Sequence, residues 1–192
     1  MTNADFLNAA MTAQGITDPD ERAGIAAIAM GESNMAGYTE RGYAHTSNER
    51  IREVFGSRVA DMSDDDLDQL KADDKTWFDF IYGPSSHVGR ELGNTQSDDG
   101  YNFRGRGFIQ LTGRANYQRY AGKIGKPEIM TNPDLANDPE NAAALAVAYI
   151  IDRYSGSGFD AMLRCVGNNT PDIAATKRRY YEQFLASGEF AG

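Results

Sequence analysis

The sequence predicts an all-α or α-dominated fold with at most a short β-hairpin. Two observations carry this prediction: helix-start patterns recur along the 192 residues, and only residues 83–108 are rich in glycine and polar residues. An apolar fraction of 41% is enough for a core in a chain of this length. No repeat, linker or low-complexity stretch divides the chain. We therefore expect residues 1–192 to form a single domain without a separate cell-surface or ligand-binding module.

The expected helices follow from capping residues and from apolar spacing. Ser, Thr and Asp side chains accept hydrogen bonds from the first amides of a helix, and proline is favoured in its first turn. Such patterns predict helix starts at Thr17–Asp20, Thr46–Glu49 (a capping box), Ser63 and Thr170–Asp172. Apolar spacing predicts further helices at residues 113–123, 139–154 and 159–166, and the glycine-rich residues 83–108 are expected to be a loop.

Composition and charge exclude several classes of function. With 19 Lys and Arg against 28 Asp and Glu, the net charge of −9 argues against a dedicated nucleic-acid binder. The single cysteine, Cys165, excludes an internal disulfide and a Cys-based zinc site, and His45 and His87 lack metal-ligand spacing. No apolar run approaches the ~20 residues of a membrane span, and no secretory signal is visible. We expect no metal, no other cofactor and no stable membrane insertion.

Paired carboxylates remain as the candidate chemistry that needs no cofactor. Glu32 comes at the C-terminal end of the apolar helix AGIAAIAMGES. Apolar surroundings and the negative end of the helix dipole both raise the pKa of a carboxyl group, which is what a general acid needs near neutral pH. The alternative for Glu32 is a surface glutamate at a frayed helix end.

The second carboxylate is expected in the polar segment GYTERGYAHT, where solvent and hydrogen bonds keep Glu40 ionised. An ionised carboxylate opposite a protonated one is the arrangement that glycoside hydrolysis needs. A surface ion pair with Arg41 is the alternative for Glu40. The Thr46 hydroxyl can orient a water molecule, although the capping box gives it a structural role. Glu49 and Glu53 also remain candidates for the second carboxylate.

Residues 101–117, YNFRGRGFIQLTGRANY, carry the most specific pattern of the chain. This segment closely resembles the signature segment of glycoside hydrolase family 19, which contains plant-type chitinases and lysozyme-like endolysins of phages and bacteria. The GESN segment at Glu32 and the stretch SNERIREVFGSR resemble the upstream half of the endolysin branch. The resemblance implies a lysozyme-like, two-lobed helical catalytic domain. It also implies that Glu32 is the general acid and that Gln110, Thr112 and Asn116 contact sugar or the attacking water.

Further substrate contacts are expected from side chains that hydrogen-bond to glycans or stack on them. An extended segment would turn Gln110 and Thr112 to one face and their apolar neighbours into the core. Thr112 can in addition cap the helix that follows it. The basic stretch KRRYY of the last helix is expected to be solvated, with contact to an anionic envelope surface as the alternative. The other expected substrate contacts are Tyr43, Tyr101 and Arg106, and the resemblance implies a glycan-contacting turn at Asn168.

The short spacing from Glu32 to Glu40, with Thr46 after it, resembles lysozyme-type muramidases and favours peptidoglycan over chitin. We expect a monomeric endolysin that cleaves the β-1,4 bond between N-acetylmuramic acid and N-acetylglucosamine by inversion, with carboxyl groups ~6.5–9.5 Å apart. A chitinase and a non-catalytic cell-wall-binding protein are the alternatives. The absent signal suggests synthesis in the host cytoplasm and release to the periplasmic wall by a separate holin-like protein.

Overall fold

The computed structural model describes residues 1–167 and 169–192. Within these ranges the chain is all-helical, without a β-strand, which confirms the predicted helical class. An isolated antiparallel bridge joins Arg106 and Leu111. The α-helices are α1 Asn3–Ala13, α2 Pro19–Ser33, α3 Asn48–Phe55, α4 Asp64–Lys71, α5 Asp74–Tyr82, α6 His87–Glu91, α7 Asp99–Asn102, α8 Arg114–Lys123, α9 Pro139–Arg153, α10 Phe159–Leu163 and α11 Pro171–Ser187; short 3-10 helices lie at Gly56–Arg58, Pro127–Met130 and Pro133–Asn137.

Capping side chains account for three of the four predicted helix starts. The Asp18 carboxylate accepts a hydrogen bond from the Asp20 amide in front of α2. The Ser63 hydroxyl caps α4 and the Thr170 hydroxyl caps α11 in the same way. These starts are therefore confirmed, and each side chain satisfies an amide that has no partner within its own helix.

The start of α3 differs by one residue from the prediction. The hydroxyl of Ser47 accepts the hydrogen bond from the Arg50 amide at 3.3 Å. Ser47 has the extended backbone of a capping residue (φ −63°, ψ 148°) and directly precedes the helix. The capping role predicted for Thr46 is therefore wrong, and the Thr46 hydroxyl has no part in starting α3.

Two short helices, α6 and α7, interrupt the segment that was expected to be a loop. The Ser86 hydroxyl accepts a hydrogen bond from the Gly89 amide at 2.8 Å and caps α6. In front of α7, the Asp99 carboxylate accepts hydrogen bonds from the amides of Thr95 and Gln96 at 2.8 and 2.9 Å. The loop prediction is wrong at these positions: the Ser86 side chain caps α6, and the Asp99 carboxylate fixes the backbone that leads into α7.

The chain divides into two compact units. The first comprises residues 1–39, 105–111 and 118–192, and the second comprises residues 40–104 and 112–117. In the first unit α2 packs against α11, and α1 packs against α9. In the second unit α5 packs against α4, α6 and α7. The core of the second unit consists of Ile51, Phe55, Val59, Leu67, Trp77, Phe78 and Ile81.

That the whole chain serves as one catalytic domain stays a prediction. Within the described ranges, no helix is long and apolar enough to cross a membrane. The sequence predicts the apolar helix α9, and this helix is buried along most of its length within the first unit.

A buried ion pair between Asp99 and Arg114 stabilises the second unit. The Asp99 side chain is 1% exposed, and Arg114 donates to both of its oxygens, at 2.6 and 2.8 Å. Burial raises the pKa of Asp99. The hydrogen bonds from Arg114 and from the amides of Gln96 and Thr95 outweigh burial, so the pKa lies below its usual value.

We predict that Asp99→Asn lowers the free energy of unfolding by about 3 kcal/mol at pH 7, because it leaves the Arg114 guanidinium without its counter-charge. The depressed pKa makes this contribution complete above about pH 4 and removes it as the pH falls through the folded-state pKa. The difference between wild type and variant, measured by urea unfolding, should therefore shrink below about pH 4. The control is Asp98→Asn, because Asp98 forms an exposed pair with Lys75. Equal losses in both variants would contradict the prediction.

Candidate functional site

Glu32 lies in the last turn of α2 and forms an ion pair with a buried lysine. The Lys177 ammonium donates a hydrogen bond to Oε1 of Glu32. The Lys177 side chain is 1% exposed and that of Glu32 is 23% exposed. A second hydrogen bond runs from Lys177 to Oδ1 of Asn169 at 2.9 Å, and the Asn169 amide nitrogen donates to the carbonyls of Leu163 and Val166. The lysine is thus held by two side chains, one of which is the candidate acid.

The lysine reaches Glu32 because the preceding residue of α2 has no side chain. A Cβ atom at Gly31 would lie 2.4 Å from Cγ of Lys177, so any larger residue would displace the lysine. The solvated position predicted for the KRRYY stretch is therefore wrong for Lys177, which is fully buried. The sequence predicts apolar surroundings for Glu32, and the structure adds a cationic partner that the sequence analysis did not identify.

The chain turns sharply directly after α2. Asn34 and Met35 both have φ of +54°, in the left-handed region that residues other than glycine rarely adopt. The side chain of Asn137 donates to the Thr39 hydroxyl at 2.8 Å. At Gly37 a Cβ atom would lie 2.2 Å from the carbonyl oxygen of Asn137. The backbone that follows the candidate acid is therefore fixed by contacts within the first unit.

Arg106, within residues 101–117, is buried and forms an ion pair with Asp134. It is 3% exposed, and its Nε donates to Oδ1 of Asp134 at 2.8 Å. The next residue, Gly107, donates its amide to Oδ1 of Asn137 at 3.0 Å. The carboxylate partner of Arg106 is thus Asp134, and both contacts hold residues 105–111 in the first unit.

Gln110 occupies a turn rather than an extended segment. Its φ of +53° lies in the left-handed region, and residues 107–110 form the turn between the bridge partners Arg106 and Leu111. The side-chain nitrogen of Gln110, Nε2, donates to the backbone carbonyls of Tyr38 at 3.0 Å and Gly107 at 3.2 Å. The predicted alternation along an extended segment is therefore wrong, because the turn reverses the chain at Gln110.

Asn116 and Tyr101 lie in the second unit. The side chain of Asn116 donates to the carbonyl of Thr112 at 2.8 Å. The Arg104 guanidinium lies over one face of the Tyr101 ring, 3.9 Å from the ring centroid. A sugar could stack on that face only if the guanidinium moved. Asn168, the remaining predicted contact, lies outside the described residues.

Glu40 and Thr46 are each held by a side chain of the second unit. The Tyr82 hydroxyl donates to Oε1 of Glu40 at 3.3 Å. The buried ammonium of Lys71 donates to the Thr46 carbonyl and to Oδ1 of Asn48, both at 2.7 Å. The segment that carries both candidate residues is therefore anchored close to each of them.

The two other candidates for the second carboxylate are surface residues of α3. The Glu53 carboxylate pairs with Arg50 at 2.8 Å, and its side chain is 57% exposed. Glu49 is exposed in the first turn of the same helix. Glu40 is half-buried, so it is the candidate whose orientation the protein controls most closely.

The second unit contains a pocket of about 380 Å³ that is separate from the predicted site residues. No predicted site residue lines it, and none of its polar side chains is buried. In residues 1–167 and 169–192, no group of three or more His, Cys, Asp or Glu side chains could hold a metal ion. The pocket is lined by Arg58, Phe80, Ile81, Ser85, Ser86, His87 and Val88.

We predict strong energetic coupling between Glu32 and Lys177. In a double-mutant cycle with Glu32→Gln and Lys177→Met, urea unfolding should give a coupling free energy of about 1.5–3 kcal/mol, because the ammonium is buried and screened little by solvent. The matched cycle is Arg50→Met with Glu53→Gln, since that pair is exposed and should couple far less. A coupling no larger than in this surface pair would show that the buried contact does not hold Glu32.

No protein-family model matches this chain, and no curated protein matches it with significance. Evidence for the function therefore comes from the contacts of Glu32 and Glu40 and from the resemblance of residues 101–117 to the family 19 pattern.

Proposed function

We propose that this chain is a peptidoglycan hydrolase with a lysozyme-like, two-lobed helical fold. It would cleave the β-1,4 bond between N-acetylmuramic acid and N-acetylglucosamine. The observation that carries the proposal is the Glu32 carboxyl group, which ends an apolar helix and is held by the buried ammonium of Lys177. The helical content and the pattern at residues 101–117 support the same assignment.

In the proposed reaction Glu32 is the general acid. It protonates the glycosidic oxygen, so that the bond from this oxygen to the anomeric carbon breaks and the sugar leaves as an alcohol. The ion pair with Lys177 is the form before the acid takes up its proton. Because Lys177 donates to Oε1, the reactive form would carry the acidic proton on Oε2. After proton transfer the ammonium stabilises the carboxylate that remains.

Glu40 is the proposed general base. Its carboxylate takes a proton from a water molecule that attacks the anomeric carbon from the opposite face, and the product has inverted configuration. The Thr46 hydroxyl would orient this water molecule. It is not used to cap α3, because Ser47 has that role.

The remaining residues of the pattern divide into two groups in this proposal. Thr112, Asn116 and Tyr101 are proposed to contact the glycan. Arg106 is buried against Asp134 and supports the site through that contact. Gln110 donates to two backbone carbonyls, so its contribution to sugar binding would come from its amide oxygen.

We predict that Glu32→Gln lowers the rate of peptidoglycan hydrolysis by about 10²–10⁴-fold, because the amide cannot supply the proton. Sedimentation of the variant with purified cell walls should show unchanged binding, which separates catalysis from adhesion. Glu182→Gln is the matched control, since Glu182 is exposed on α11 and should leave the rate unchanged. Undiminished clearing of wall suspensions by Glu32→Gln would refute the assignment, and preferential turnover of chitin oligomers by the wild type would favour a chitinase.

A second prediction separates the three candidate bases. Glu40→Gln should lower the rate of hydrolysis by at least about 10²-fold. Glu49→Gln and Glu53→Gln change exposed side chains and should leave the rate within about twofold of the wild-type value. A larger loss at Glu49 or Glu53 than at Glu40, measured at equal folded protein concentration, would move the assignment to α3.

A further inference from the structure

The segment that carries Glu40 is packed against α5 although it has no regular secondary structure of its own. Residues 40–46 contain neither helix nor strand. A Cβ atom at Gly42 would lie 1.6 Å from Oδ1 of Asp74, in the first turn of α5. The Tyr43 ring packs against Trp77, with the ring centroids 5.3 Å apart. The first half of α5 thus supports this segment through packing contacts.

The third contact with α5 involves its last residue, Tyr82, whose hydroxyl donates to Glu40. Tyr82 is itself fixed from several sides. The side chain of Asn94 donates to its carbonyl at 2.7 Å, and its ring stacks on Phe78. A Cβ atom at Gly89 would lie 2.3 Å from the same carbonyl oxygen. The hydroxyl is therefore presented to Glu40 from a rigid position.

The Tyr82 hydroxyl is a neutral donor at every pH at which a glutamate ionises. Burial, followed by the negative charge of Glu40 and the neighbouring Tyr43, raises the pKa of Tyr82 well above its usual value, and Arg58 opposes this only in part. Burial and Glu40 also raise the pKa of Tyr43, against a smaller effect of Arg50. A hydrogen bond from a neutral hydroxyl to a carboxylate favours the ionised carboxylate.

We propose that Tyr82 is a positioning residue that orients Glu40 and favours its ionised form. This inference rests on the proposed function, because Tyr82 acts on the reaction only through the general base. It adds a role for a residue outside the family-like pattern, at the C-terminal end of a helix that the sequence analysis did not identify.

The test is the pH dependence of hydrolysis by Tyr82→Phe, measured with soluble peptidoglycan oligosaccharides. Without the hydroxyl, the acidic limb of the kcat/KM profile should move to higher pH by about 0.5–1 unit. On that limb kcat should fall by about 3–10-fold while KM stays within about twofold, since Tyr82 acts on the base and not on sugar binding. The matched control is Tyr181→Phe, because Tyr181 donates to the Asp20 carboxylate and burial raises its pKa to about 12. This control should leave the profile unchanged.

Glu40→Asp tests the same contact from the other side. The side chain is shorter by one methylene and its carboxylate leaves the reach of the Tyr82 hydroxyl, so the acidic limb of this variant should no longer depend on that hydroxyl. Adding Tyr82→Phe to Glu40→Asp should then leave the limb where it is, and a shift would overturn the inference. The position of the acidic limb does not depend on the concentration of active enzyme, so it can still be read if urea unfolding shows that Tyr82→Phe is partly unfolded.

The possible outcomes separate the two proposals. If the wild type hydrolyses the substrate and Glu32→Gln does not, but Tyr82→Phe keeps the wild-type profile, only the role of Tyr82 is overturned. If the wild type lacks hydrolytic activity, the proposed function fails and the role of Tyr82 fails with it.

Discussion

The buried ammonium of Lys177 is the interaction on which the account of this protein depends. A lysine is seldom fully buried, because the desolvation of its charge is costly unless a counter-charge and further acceptors surround it. Here Glu32 and Asn169 supply them, and Gly31 leaves the space that the lysine stem occupies. An apolar residue of similar volume would often give equal or greater stability. A role in holding Glu32 explains why the charge is present.

The two candidate carboxylates are held in chemically different ways. Glu32 meets a cation, Lys177, which stabilises the charge that appears after proton donation. Glu40 meets a neutral hydroxyl, Tyr82, which favours a base that is ionised from the start. In each case the donor comes from a helix of the same compact unit, α11 for Glu32 and α5 for Glu40. Each carboxylate is therefore oriented by contacts within the unit to which it belongs.

Local signals in the sequence predicted the helical class, and the caps at Asp18, Ser63 and Thr170 gave correct helix starts. A capping residue acts within one turn of its helix, so its effect is visible in a short stretch of sequence. The same signal was misread at Thr46, since both Thr46 and Ser47 can cap and only the backbone conformation distinguishes them. At Gln110 the alternating pattern predicts an extended segment, whereas the structure has a tight turn between the bridge partners Arg106 and Leu111.

The contacts of the candidate site were harder to predict because they join residues far apart in the sequence. Lys177 lies in a basic stretch that is typical of a solvated helix face, yet it is buried against α2. One signal was present: Gly31, next to Glu32, indicates that something approaches this face of the helix closely. Glu32 itself was predicted from its place at the end of an apolar helix. Nothing in the sequence near Glu40 indicates that Tyr82 is its donor.

The most direct test of the central claim is mass spectrometry of the fragments released from purified peptidoglycan. The account predicts glycan fragments with N-acetylmuramic acid at the reducing end, formed by addition of water across the β-1,4 bond. Reducing-end N-acetylglucosamine or anhydromuramic ends would contradict the proposed bond or the proposed use of water. Intact glycan strands with severed stem peptides would show that the carboxylates at Glu32 and Glu40 do not serve a glycosidase.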